Sequence, residues 1–122
     1  GCAILAIHLF PDNHRLLIDA ITHDVAEVGV GDVSSRAKMA NPDLRAAIES
    51  AEYDNFVRLG LREPTKTQEL SLIDRLEAYL WAERHAPKAM DGDGWPECLE
   101  DIKIMARHLR VYDKVRGCLK NF

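Results

Sequence analysis

The sequence predicts an all-α fold, a bundle of five or six helices, and three observations predict it. Apolar residues recur at helical spacing, and no stretch alternates in the manner of a strand. The apolar segments are bracketed by helix start and stop residues: Asn41-Pro42 and Thr67 at starts, Gly60 and Pro87 at or just past ends. The connections between them are short turns, with no internal repeat and no low-complexity tract. At 122 residues, 47% of them hydrophobic, residues 1–122 read as a single domain able to build a core without metal or disulfide staples.

Cys2 to Phe10 is the first helix. Its opening, Gly1-Cys2-Ala3-Ile4-Leu5-Ala6-Ile7, has no initiator Met, no N-cap and no polar first turn, so it reads as a helix entered midway. The expectation is that the natural protein continues upstream. Pro11-Asp12-Asn13 is a turn whose Asp and Asn can cap the next helix, and His14 opens that helix on the surface. The second helix, Asn13 to Ile21, carries an apolar stripe through Leu17, Ile18 and Ile21 toward His23. Gly29, Gly31, Ser34 and Ser35 then break the periodicity and make a loop, either an approach to a substrate or an ordinary connection closed by a serine cap.

Asn41 caps and Pro42 begins a helix that runs to about Leu59, with Leu44, Ile48, Ala51, Phe56 and Leu59 as its partial stripe and Gly60 as its stop. Arg62-Glu63-Pro64 is a loop. Thr67 caps the next helix, which runs to about His85 and has Leu70, Ile73, Glu77, Leu80 and Trp81 along one side. Asp91-Gly92-Asp93-Gly94 is a surface turn, not a calcium loop, because the twelfth position of such a loop would be Ile102 in place of a glutamate. The last helix begins near Trp95-Pro96 and is expected to run toward Leu119, with Lys103, Arg107, Arg110 and Lys114 at helical spacing. That basic stripe is a solvated face, or a surface for an acidic partner or neighbouring subunit.

Composition narrows the function. A formal charge of −4 and an isoelectric point near 5.7 argue against a general binder of nucleic-acid backbone, though not against a small phosphate ester whose charge a bound cation can offset. Three cysteines, with no Cys-x-x-Cys spacing, suit a reduced cytoplasmic setting. The apolar run Cys2 to Phe10 is too short to span a bilayer, which needs about 20 residues, and lacks the basic flank of a secretory leader.

The chemistry concentrates between Thr22 and Lys38. A helix turns about 100° per residue, so His23, Asp24 and Glu27 share one arc of roughly 100°. The preceding residues Leu16, Leu17, Ile18, Ala20 and Ile21 are apolar, which places the arc at the end of a segment expected to be buried. Buried imidazole and carboxylate groups need partners, and a divalent cation such as Zn, Mn, Fe or Co suits both. The other reading makes His23 a helix C-terminal cap and Asp24 a solvated aspartate. Asp74 lies against Leu70, Ala78 and Trp81, where an aspartate is costly unless paired. It is a distal metal ligand, or the partner of Arg75 or of a lysine on a neighbouring helix.

Taken together, His23-Asp24-Val25-Ala26-Glu27, Gly31-Asp32, Lys38 and Asp74-Arg75-Leu76-Glu77-Ala78 resemble the HD-domain metal-dependent phosphohydrolases, and within them the bacterial 5'-deoxynucleotidase branch and its phage relatives. The matching stretches lie within Thr22 to Ala82. One element departs: the family's first metal ligand is a histidine on the preceding helix, typically just after a glutamate, and no such motif occurs here. It would lie upstream of Gly1; His8, on the first helix, is the alternative donor.

The resemblance implies an HD-domain-like helical bundle in which His23, Asp24 and Asp74 bind a divalent transition metal. Glu27 would hold the attacking water or move its proton, Asp32 would act beside the substrate as acid or as a contact to the leaving nucleoside, and Lys38 would contact the phosphate. The implied substrates are deoxynucleoside 5'-monophosphates, yielding deoxynucleoside and phosphate. A triphosphohydrolase releasing tripolyphosphate from deoxynucleoside triphosphates is the alternative within the superfamily. A non-catalytic module binding a nucleotide or a protein partner is the alternative outside it. The expected partners are a small nucleotide and further copies of the chain in a homo-oligomer, with no polynucleotide and no membrane.

Overall fold

Helix ends are fixed by the backbone groups a helix leaves unpaired, and side chains placed to satisfy them set the boundaries. The computed structural model describes residues 1–26, 40–92 and 94–119. Six α-helices lie in these stretches: α1 Cys2–Leu9, α2 His14–Ala26, α3 Pro42–Leu59, α4 Gln68–His85, α5 Trp95–His108 and α6 Tyr112–Cys118, with a 3-10 turn at Pro87–Ala89 before α5. The described residues contain no strand, so the all-α expectation holds. The Asn13 side-chain oxygen accepts the Leu16 N–H at 3.0 Å, and Asn41 accepts those of Asp43 and Leu44, each at 3.1 Å. Thr67 accepts that of Leu70 at 3.2 Å. Gly60 takes the left-handed conformation, φ 69°, that ends α3.

Two boundaries differ from expectation. α2 continues past Ile21 to Ala26, which carries His23 and Asp24 on the helix itself. The expected single last helix is two helices, α5 and α6. Arg110 adopts φ 61°, and the N–H groups of Arg110 and Val111 bond to the carbonyls of Arg107 and Ala106. This is the Schellman pattern without its usual glycine, secured by burial of Val111 and Ala106. The basic positions are thus divided among α5 (Lys103, Arg107), the turn (Arg110) and α6 (Lys114), not set along one stripe.

α1 packs against α2, α4 and α6; α4 packs also against α2 and α5; α3 rests on α2. The centre is built from Leu9, Leu72, Ile73, Leu76, Ile102 and Val115, all fully buried. The α2 face is turned and the α4 face is shifted. On α2 the buried apolar residues are Leu16 and Ala20, while Ile18 and Ile21 are exposed, because α1 and α4 meet α2 on the Leu16 side. On α4 the expected Leu70 and Ile73 are buried together with Leu72, Leu76, Tyr79 and Ala82, while Trp81 points outward at 61% exposure. No helix of the described residues is long and apolar enough to cross a membrane.

Candidate metal centre

The first turn of α1, the last turns of α2 and the middle of α4 converge. The 3.6-residue period puts Asp74 and Glu77 one turn apart on the edge of α4 that flanks its buried stripe. From α2, the His23 Nε2–H donates to Asp74 Oδ1 at 3.2 Å, a pairing between positions 51 apart in sequence. His23 is half-buried, its side chain 29% exposed, and that of Asp74 is 57% exposed. Asp74 therefore lies at the rim and not inside the apolar surround expected of it. Its neighbours Ala78 and Trp81 are exposed too.

Cys2 completes the convergence from α1. It is fully buried, and its thiol donates a hydrogen bond to Glu77 Oε2. Beside it the backbone nitrogen of Gly1 lies 3.7 Å from Glu77 Oε1. A Cβ on Gly1 would lie only 2.9 Å from Asp24 Oδ2, so the start of α1 sits tight against the Asp24 carboxylate. Burial pushes the Cys2 thiol well above its ordinary ionisation range; the hydrogen bond to Glu77 and the negative charges of Glu77, Asp24 and Asp74 push it further.

The donor atoms fall into two groups that share the Cys2 sulfur. Cys2, His23 and Asp74 form one and Cys2, Asp24 and Glu77 the other, with the donor atoms of each within 4.8 Å of one another. Of the expected ligands, His23 and Asp74 thus fall in one group and Asp24 in the other, the two linked through the Cys2 sulfur. Imidazole, carboxylate and thiol are the donors that Zn, Co and Fe accept, so the residues present fit a divalent transition metal.

Sequence reasoning missed Cys2 and Glu77. Glu77 stood three residues after a proposed ligand, a spacing that places two side chains on one helix face, and that signal was available. Cys2 carried none, since only the packing of α1 on α4 brings it there. His8 is exposed in the last turn of α1, about 9 Å along the axis from Cys2, and takes no part. Glu27, Asp32 and Lys38 lie outside the described residues. Comparison with protein-family models, curated proteins and solved structures finds no match to the chain.

Proposed function

We propose that the chain is a metal-dependent phosphohydrolase of the HD type acting on deoxynucleotides, with deoxynucleoside 5'-monophosphates its first substrates. The observation that carries this reading is the contact of His23 with Asp74, two residues selected by motif from opposite ends of the matching stretch. A divalent cation held by His23, Asp24 and Asp74 would lower the pKa of a water and offset the charge of phosphate oxygens. The protein's own part is positional. His23 and Asp74 hold each other in orientation, and Gly1, at the start of α1, packs close against the Asp24 carboxylate. The resemblance gives Glu27 the proton of the attacking water, Asp32 the sugar side and Lys38 the phosphate. The acidic balance of the chain favours a single phosphate group over a polynucleotide.

Elemental analysis and a product assay on the same preparation test the reading. The chain should retain Mn, Co, Zn or Fe, and Asp24→Asn should lose it together with phosphate release from deoxynucleoside monophosphates. Glu27→Gln should keep the metal and lose about 10²-fold or more in turnover. Metal content no higher than in Asp24→Asn would overturn the site. Tripolyphosphate released from deoxynucleoside triphosphates, without orthophosphate from monophosphates, would replace the substrate assignment.

A further inference from the structure

We propose that the Cys2 sulfur is itself a donor to the metal, making the centre a mixed nitrogen–oxygen–sulfur site that prefers zinc or cobalt to magnesium or manganese. The proposal rests on the metal reading above and adds to it a ligand of different chemistry. Its first support is position: the Cys2 sulfur is the member common to both donor groups, so an ion that engages either group meets it. Distance is the second. Bonds of about 2.0–2.3 Å around a tetrahedral ion place neighbouring donors about 3.5 Å apart. Within each group of three the separations are at most 4.8 Å, so side-chain adjustments of about an ångström close either group around an ion.

The third support is the direction of the thiol. A buried cysteine that only fills space behaves as a small hydrophobe. Cys2 lies at the edge of the core with its sulfur hydrogen-bonded to Glu77 and within reach of Asp24, His23 and Asp74. Coordination exchanges the sulfur's proton for the metal. The proton passes to Glu77, which already accepts it, and from there to water. Thiolate is a soft donor that magnesium and manganese bind poorly, and this sets the metal preference.

Cobalt(II) titration of the full chain separates this inference from the reading beneath it. Visible d–d bands report that the metal binds, and a near-ultraviolet sulfur-to-cobalt charge-transfer band reports a thiolate ligand. Both should appear. The charge-transfer band should survive Cys98→Ala with Cys118→Ala and vanish in Cys2→Ser. Cobalt affinity in Cys2→Ser should fall by more than the roughly 10–100-fold that loss of an outer-shell partner costs. Cys2→His should recover binding without the band. Cobalt bound by the wild-type chain with no charge-transfer band, or with one that Cys2→Ser leaves intact, would overturn the Cys2 ligand and leave the metal centre standing. The absence of any cobalt bands would overturn both. A wild-type spectrum without the charge-transfer band decides against Cys2 whatever the variants do. Loss of the band in Cys98→Ala with Cys118→Ala, which leaves Cys2 in place, would overturn the Cys2 ligand even where Cys2→Ser fails to fold.

Discussion

α3 and α4 have the same length, 18 residues each, and hold their shape for different reasons. α3 is made by its ends: Asn41 satisfies two orphan N–H groups, Pro42 fits the first turn and Gly60 closes the last. Along its body Leu44, Tyr53, Val57 and Leu59 are exposed, while Ile48 and Phe56 are buried. α4 is made by its middle. Leu72, Ile73 and Leu76 are fully buried, and the helix packs against α1, α2 and α5. The difference explains where the candidate centre sits. Only a helix held on several sides can fix Asp74 and Glu77 against residues of two other helices.

Core truncation should split the two helices most widely. Leu76→Ala in α4 should cost about 2–5 kcal/mol, and Val57→Ala, at an exposed position of α3, should stay within about 0.5 kcal/mol. Urea unfolding measures both, and equal losses would show α3 to be as deeply held as α4. The caps come next. Asn41→Ala should cost about 1 kcal/mol, and Gly60→Ala, which places a Cβ at φ 69°, about 1–2 kcal/mol. The loss should concentrate in α3, so amide exchange there should quicken more than in α4.

A smaller effect tests the seam between α4 and α5. Arg75 donates to Asp101 at 3.0 Å across it, and both side chains are about half exposed, so Arg75→Ala should cost no more than about 1 kcal/mol. A larger loss would mean that the pair holds the seam. The smallest effect is in pH. Burial pushes the thiols of Cys98 and Cys118, as it does that of Cys2, above their ordinary value of 9.0. Above that pH the unfolded chain gives up these protons before the folded chain does, so stability is full below pH 9 and falls as pH rises past it. Cys98→Ala should flatten that slope in metal-free protein, and an unchanged slope would place its origin elsewhere.

Much of the helix inventory was legible because caps are local. Asn41, Pro42, Gly60 and Thr67 act within a turn of themselves, and α3 begins and ends, and α4 begins, where those residues place them. The division of α5 from α6 was not legible, since Arg110 takes a glycine's conformation on the strength of tertiary burial at Val111. The orientation of α2 was misjudged for a related reason. Leu16, Leu17, Ile18, Ala20 and Ile21 cover more than one face, and the side chosen depends on which helix arrives.

By itself the sequence determined the all-helical class, the capped boundaries and the identity of His23, Asp24 and Asp74 as candidate ligands. Each of these is written in residues a few positions apart, where backbone hydrogen bonding and helical periodicity operate. The contact of His23 with Asp74 and the approach of Cys2 to Glu77 and to both candidate donor groups were decided by tertiary structure alone. They require three helices to pack at particular angles, and those angles depend on the fit of Leu9, Leu72, Ile73 and Leu76 against one another, a collective property that no short stretch of the chain encodes.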